Sequence, residues 1–153
     1  MVDSNITLSA LHDDHQIGIF GDYENKDKQD LVRIKELKNL SIIQIAKFKS
    51  SNIKTDTIKI DGLHFPQTYP TVSFNNDTRI LWTGPDICMV VSTDKNIKEK
   101  ISQAVKEEDF ATTDLSHSRA VIEISGKSSI NILKKGTPLN LNSSEFKKNN
   151  CAN

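Results

Sequence analysis

The spacing of apolar residues changes several times along the chain, and each change marks the boundary of a predicted element. Leu31, Ile34 and Leu37 recur at a spacing that is typical of a helix. From Leu40 to Phe48 the apolar residues fall on both faces of an extended segment, which predicts a strand buried on both sides. Residues 1–30 hold few large apolar residues and several turn formers. We therefore expect an irregular leader over 1–30 and one domain over 31–153.

Short strands and turns dominate the middle of the chain. Residues 50–70 mix isoleucines with glycine and proline and predict no single element. Thr71–Phe74 and Arg79–Thr83 are predicted strands, because they flank three residues that tolerate a tight turn. Gly84-Pro85-Asp86 then predicts a second turn, which leads into a strand over Ile87–Ser92.

A helix and two strands follow. Lys95–Glu108 places its apolar residues on one face and predicts a helix, with Asn96 and Glu99 in the pattern of a capping box at its start. Ala111–Leu115 and Arg119–Ser125 are predicted strands, the second with an alternation that is typical of a half-exposed strand.

A second helix closes this series of elements. Gly126 precedes a predicted helix over Ser128–Lys135, which ends at Gly136 with Pro138 beyond it. Mixed strands with helices inserted between them indicate the α+β class. We predict a ferredoxin-like split βαβ sheet with helices on one face, plus the start of a second such unit.

Composition narrows the classes of partner. The chain has 153 residues and a formal net charge of zero, which argues against electrostatic binding to nucleic acid or to an anionic membrane. Cys88 and Cys151 have no paired spacing and indicate no disulfide framework. The start of the sequence lacks the pattern of a secretory signal, and no apolar stretch has membrane-spanning length. A cytoplasmic protein is expected.

The sequence contains no recognisable catalytic motif, phosphate-binding loop or paired cysteine ligands. His12-Asp13-Asp14-His15 has metal-binding residue types, but it lies in the irregular leader and lacks further ligands. Trp82 is predicted to be a core residue, with a place in a ligand cleft as the alternative. Arg119 is expected to pair with Asp114 or Glu123. We predict no catalytic, cofactor-binding or metal-binding residue on this chain.

Two segments together resemble the gamma subunit of heterotetrameric sarcosine oxidase. They are Arg79–Val91, with the letters RILWTGPDICMVV, and Asp114–Ala152, which follows the family pattern of strand, turn, strand, helix and loop at the family's spacing. Ile87 departs from the pattern where the family commonly has Glu. The residues that carry the motif in structural or interface roles are Trp82, Gly84, Pro85, Asp86, Asp114, Ser116, Arg119, Ser125, Gly126, Gly136 and Pro138.

The resemblance implies a subunit of a complex that oxidatively demethylates sarcosine to glycine with tetrahydrofolate as the one-carbon acceptor. In that complex a gamma subunit is a scaffold of the folate-binding fold, similar to the glycine-cleavage T-protein, and its partners are the alpha, beta and delta subunits. FAD, FMN, NAD, tetrahydrofolate and zinc are expected on those partners.

The family pattern continues beyond Cys151-Ala152 with further strands and a helix. We therefore expect Arg119–Ser125 and Ser128–Lys135 to leave an apolar face or a sheet edge open to another chain, which could be a partner subunit or a second copy in a homo-oligomer. Two alternatives stay open: an independent tetrahydrofolate-binding module related to aminomethyltransferases, and an unrelated small ferredoxin-like enzyme.

Overall fold

A computed structural model describes residues 9–14, 16, 18–21, 23–142 and 144–152. The chain forms two compact units. Unit 1 combines the residues up to Lys38 with Ala120–Lys147, and unit 2 combines Asn39–Arg119 with the residues from Lys148 onward. This grouping follows the sheets rather than the order of the chain. The division at residue 30 into a leader and a domain stays a prediction.

The elements follow one another in a mixed order. The strands are β1 (Arg33–Leu37), β2 (Ser41–Lys47), β3 (Lys59–Ile60), β4 (Leu63–His64), β5 (Val72–Phe74), β6 (Thr78–Gly84), β7 (Ile87–Ser92), β8 (Phe110–Asp114) and β9 (Val121–Ser125). The helices are α1 (Ile97–Ala104) and α2 (Ser129–Gly136), and single 3₁₀ turns lie at His12–Asp14, Lys28–Asp30 and Thr55–Thr57.

Unit 2 is built on a five-stranded antiparallel sheet with the strand order β5-β6-β7-β2-β8. Strands β7 and β8 lie on either side of β2, and the chain passes from one to the other through α1. This arrangement is a split βαβ unit, so the predicted α+β class is confirmed. The strand and helix predicted to begin a second unit are present as β9 and α2 in unit 1.

The core of unit 2 lies between one face of this sheet and α1. Ile45, Ile80, Val90 and Ile97 have no exposed surface, and the small β3–β4 hairpin adds Ile60. The predicted strand over 40–48 is confirmed as β2, and Ile42 and Ile43 are buried on opposite faces of it. Apolar residues on both faces therefore identified the central strand correctly, because both of its faces are covered.

Two turns of unit 2 match their predicted chemistry. Between β6 and β7, Pro85 is followed by Asp86 at φ 58°, a backbone conformation that aspartate tolerates better than most residues. Between β5 and β6, the side-chain oxygen of Asn75 accepts hydrogen bonds from the backbone N–H groups of Asp77 and Thr78, at 3.0 and 2.8 Å. Side-chain acceptance of this kind closes a turn locally.

Helix α1 is shorter than predicted and begins differently. It spans Ile97–Ala104, and Asn96 makes no side-chain capping bond, so the predicted capping box is wrong. Asp94 accepts the Asn96 N–H at 2.9 Å instead. After the helix, Val105 is extended and buried in the core, and this buried position ends the helix before the polar residues that follow.

Unit 1 contains a two-stranded antiparallel sheet, β1 with β9, followed by α2. The helical spacing of Leu31, Ile34 and Leu37 is misleading, because residues 33–37 pair with β9 as a strand. Gly126, at φ 113°, allows the chain to turn after β9, since a Cβ at this position would lie 2.5 Å from the carbonyl oxygen of Leu31. The close approach of two backbone segments thus requires glycine here.

Neither α-helix in the described part of the chain could cross a membrane, since each is only eight residues long.

Candidate functional site

The first group of motif residues lies at the β6–β7 hairpin of unit 2. Trp82 is only partly buried and packs edge to face against Tyr69, with ring centroids 5.6 Å apart. The expectation of a core tryptophan is wrong, because the buried core ends at Ile80 and Trp82 lies further along the strand. Gly84, Pro85 and Asp86 form the turn itself, and Lys47 pairs with Asp86 at 3.3 Å.

The second group lies in the turn after β8. The Asp114 carboxylate pairs with Lys98 at 2.5 Å and accepts hydrogen bonds from the N–H and the hydroxyl of Ser116, at 2.9 and 2.5 Å. Lys98 and these Ser116 donors hold the pKa of Asp114 well below its usual range. Arg119 is exposed, and Asp114 pairs with Lys98 rather than with Arg119, the partner that the sequence suggested. The Ser116 hydroxyl also accepts the N–H of Ile42 at 3.0 Å, so this turn fixes the start of β2.

The third group lies in unit 1, at the turns before and after α2. Ser125 is the last residue of β9, Gly126 makes the turn described above, and Gly136 is the last residue of α2 with Pro138 shortly after it. These residues therefore have local conformational roles. Apart from the hydroxyl of Ser125, none of these side chains carries a group with acid–base or nucleophilic chemistry.

A charged cluster that sequence reasoning missed lies in unit 2. The Asp61 carboxylate accepts hydrogen bonds from Asn75 at 2.9 Å, from Lys100 at 2.5 Å and from Thr78 at 2.7 Å. These donors lower the pKa of Asp61 to about 2. Lys100 also pairs with Asp94 at 2.7 Å, and the two carboxylates raise the pKa of Lys100. The Asp61-Gly62 dipeptide was the available signal, since it indicates a turn at this point.

This cluster is structural. It joins the β3–β4 turn to α1 and to the start of β6, where the Thr78 hydroxyl also shares a hydrogen bond with Ser92 at 2.8 Å. Both of those residues are buried. Each carboxylate in the cluster is already bound to its donors, so the arrangement stabilises the ionised forms and leaves no group ready to transfer a proton.

The thiols and histidines of the described residues show no reactive arrangement. Burial raises the pKa of the Cys88 thiol to about 12, and burial also raises that of Cys151. His117 is exposed in a turn, as predicted. No group of three metal-ligating side chains occurs within the described residues. His15 lies outside them, so the His12–His15 hypothesis stays untested.

Most of the exposed large apolar side chains of the described residues lie in unit 1. None of its described residues is buried. Its large apolar side chains are 40–67% exposed at eight positions, which are Ile19, Phe20, Tyr23, Ile34, Ile122, Ile130, Ile132 and Leu133. We call these eight side chains the unit-1 apolar set. These exposed side chains form the open apolar face that the sequence predicts. A two-stranded sheet has marginal stability unless such a face is covered.

The pleat of the β1–β9 sheet gathers part of this set. Ile34 lies opposite Ile124 and Glu36 opposite Ile122, so Ile34 and Ile122 of the apolar set share one face of the sheet with Ile124 and Glu36. Both strands also have one unpaired edge, since the described sheet holds only these two strands. At the end of α2, Lys134 and Lys135 add positive charge beside apolar residues.

Comparison with known proteins shows what this chain is similar to. No protein-family model matches the chain, and no curated protein sequence matches it. A chain in the structure of heterotetrameric sarcosine oxidase from Corynebacterium sp. U-96, in complex with pyrrole 2-carboxylate, superposes with a TM-score of 0.72. The sequence identity is 21%, over 81% of this chain and 65% of that chain. This protein therefore has the fold of a chain in heterotetrameric sarcosine oxidase.

Proposed function

We propose that this chain is a non-catalytic gamma subunit of a sarcosine oxidase complex, in which it acts as a scaffold that docks on the alpha and beta subunits. The observation that carries the proposal is the unit-1 apolar set, which is exposed in a unit without a single buried residue among those described. Apolar surface of this kind marks an interface with another chain.

The energy of docking follows from how much apolar surface remains to be covered. Full burial of one large apolar side chain contributes about 1.5–3 kcal/mol. The members of the apolar set retain roughly half of their surface, so covering each one adds about 1 kcal/mol. Association costs about 4–15 kcal/mol in lost freedom. Burial of the apolar set can offset much of that cost. Polar contacts at the rim of the interface contribute further favourable free energy.

The charge around α2 indicates the character of the partner surface. Lys127 precedes the helix, and Lys134 and Lys135 form its last turn. An acidic rim on the partner would complement these lysines and would direct the approach of the two chains. We therefore propose an apolar partner surface with carboxylates at its margin.

The chemistry of the proposed complex belongs to its other subunits. The complex oxidatively demethylates sarcosine to glycine and passes the one-carbon unit to tetrahydrofolate, and FAD, FMN, NAD, tetrahydrofolate and zinc reside on the alpha, beta and delta chains. The proposed non-catalytic role of this chain is supported by two of its carboxylates, because Asp61 and Asp114 are held in structural hydrogen bonds. We expect the assembled complex in the cytoplasm.

Co-expression with the alpha and beta chains tests this proposal. We expect a tagged copy of this chain to retain both, and a double variant with Ile130→Asp and Leu133→Asp to lose them, because charged residues replace two members of the apolar set. Asn131→Asp is the matched control, since it adds a charge to an exposed position of the same helix. A chain that is recovered alone, or a double variant that still retains its partners, would contradict the proposal.

A further inference from the structure

The two strands of the β1–β9 sheet present different edges to a neighbouring chain. Three of the five residues of β1 are charged, namely Arg33, Lys35 and Glu36. The hydroxyl of Ser9 also donates to the Glu36 carboxylate, so the start of the described chain already contacts this strand. Charged side chains and covering segments protect a sheet edge against pairing with another strand. The β1 edge is therefore protected.

The β9 edge lacks most of these features. Its sequence, VIEIS, contains no proline, glycine or lysine, and the residues at its two ends are uncharged. Its register with β1 is continuous, so the strand has no bulge. Its one charged residue, Glu123, lies opposite Lys35 of β1. Most of the strand is β-branched, which favours pairing with a further strand.

The ends of the β1–β9 ladder show which backbone groups are already paired. The ladder runs from the pair of Arg33 with Ser125 to the pair of Leu37 with Val121. Among the described residues, no backbone hydrogen bond continues the ladder beyond either pair. The two end pairs are therefore hydrogen-bonded pairs themselves, because a non-hydrogen-bonded pair is held by bonds on both of its sides.

The outward backbone groups of β9 follow from this pattern. Hydrogen-bonded and non-hydrogen-bonded pairs alternate along an antiparallel ladder, so Glu123 also directs its N–H and carbonyl to β1. Ile122 and Ile124 direct theirs to the opposite side, where the described sheet has no strand. No backbone hydrogen bond elsewhere in the described chain uses these groups. They are available to an added strand.

The two faces of β9 indicate which side chains an added strand should carry. On one face Ile122 and Ile124 lie beside Ile34, and Ile34 and Ile122 are 63% and 41% exposed. Apolar residues of an added strand would cover this face. On the other face Glu123 is exposed, and a lysine or arginine opposite it makes a favourable pair across strands. The fitting segment therefore alternates apolar and polar residues and has a cation at its centre.

We propose that docking on the partner subunit includes an extended segment of the partner, of this composition, which pairs with β9 as a third strand. The inference rests on the proposed function and adds how the partner is bound. A two-stranded sheet has marginal stability, whereas three strands with a covered apolar face are stable. Unit 1 has no buried residue among those described, so a third strand supplies what this sheet lacks. In strand addition the backbone bonds give affinity and alternate side chains give specificity.

A second copy of this chain does not fit the β9 edge. Antiparallel self-pairing that uses all of the outward groups joins Ile122 to Ile124 of the second copy. It also places Glu123 directly opposite Glu123 of the second copy. Like charges in that position are destabilising. The strand thus disfavours its own copy and favours a different chain that carries a cation there.

Residue-resolved hydrogen–deuterium exchange tests the inference on the free chain and on the chain mixed with the alpha and beta subunits. In the free chain we expect the amides of Ile122 and Ile124 to exchange faster than that of Glu123, which donates to β1. In the mixture these two amides should slow about tenfold or more, because they then donate to the partner strand.

A matched pair of substitutions separates the backbone bond from the side chain. Ile122→Pro and Ile122→Thr both remove the apolar side chain, but only proline also removes the outward N–H. An edge strand tolerates proline where the N–H faces away from the sheet. Ile122→Pro should bind the alpha and beta subunits about fivefold more weakly than Ile122→Thr. Slow exchange of the Glu123 amide in Ile122→Pro shows that β1 and β9 remain paired.

The charge of Glu123 is tested in the same binding assay. Glu123→Lys should weaken binding more than Glu123→Gln, because only the lysine opposes the cation of the partner strand. Equal binding of these two variants would overturn the choice of partner segment. Equal binding of Ile122→Pro and Ile122→Thr would overturn strand addition itself.

The exchange experiment also separates this inference from the proposed function. Retention of the alpha and beta subunits, with Ile122 and Ile124 amides that exchange as in the free chain, would overturn strand addition and leave docking through unit 1 intact. Slow exchange of these amides in the free chain would show an edge that is already paired and would also overturn it. A chain that retains neither subunit contradicts the proposed function and removes this inference with it.

Discussion

The Asp61 cluster should control how unit 2 responds to acid. Asp61 lies in the β3–β4 turn at φ 53°, and its side chain is only 16% exposed. We choose Asp61→Asn as the perturbation, because asparagine has the same size and also tolerates a positive φ. The substitution removes the charge that Lys100 and the hydroxyl of Thr78 stabilise.

The lowered pKa gives the magnitude and the sign. Asp61 titrates at about 2 in the folded chain, against 3.8 for the ordinary side chain. The folded state therefore favours the ionised form, and its stability is fully present above about pH 4 and is lost as the pH falls towards 2. The difference corresponds to about 2 kcal/mol. We expect Asp61→Asn to lose roughly this much at neutral pH.

Urea unfolding between neutral and acid pH provides the assay. Trp82 is the only tryptophan of the sequence and lies in unit 2, so its fluorescence reports on this unit. The variant should lose less stability in acid than the parent. The loss that remains should come from Asp114, whose pKa is also lowered. Asp56→Asn, at an exposed position of the Thr55–Thr57 turn, is the matched control. Equal stability of parent and Asp61→Asn at neutral pH would refute this reasoning.

Three further predictions concern packing and reactivity. Ile80→Ala should destabilise unit 2 by about 2–5 kcal/mol in the same urea assay, because it opens a cavity at a fully buried position. Gly126→Ala should lower the thermal stability of unit 1, since its Cβ would meet the Leu31 carbonyl, whereas Gly136→Ala has open space and should be neutral or stabilising by circular dichroism. Cys88 should resist maleimide at pH 8 until the chain is unfolded, and rapid labelling of the native chain would contradict its burial.

The strands of unit 2 could be predicted because local chemistry and burial agree there. The apolar residues on both faces of β2 reflect its two covered faces. Proline followed by aspartate at φ 58° gives the β6–β7 turn. Helix α1 was found, but its limits were not, because the burial of Val105 decides where it ends. The motif of Trp82 with Gly84 indicated a hairpin correctly, but the burial of Trp82 was predicted to be greater than it is.

The interactions that the sequence could not predict join distant segments. The strand β1 resembles a helix in its spacing, and only pairing with β9, more than 80 residues later, makes it a strand. Asp61 and Lys100 are 39 residues apart and meet through the packing of a hairpin on α1. Asp114 similarly pairs with Lys98 of α1 and not with Arg119, which is nearer in sequence. Such choices depend on tertiary structure, which local patterns do not contain.

The central claim is that unit 1 is the surface through which this chain docks on its partners. Hydrogen–deuterium exchange tests it most directly, by comparing the free chain with the same chain mixed with the alpha and beta subunits. The proposal predicts slower exchange in β1, β9 and α2, while the β6–β7 strands of unit 2, whose amides are already paired, change little. Identical exchange of β1, β9 and α2 in the two samples would contradict it.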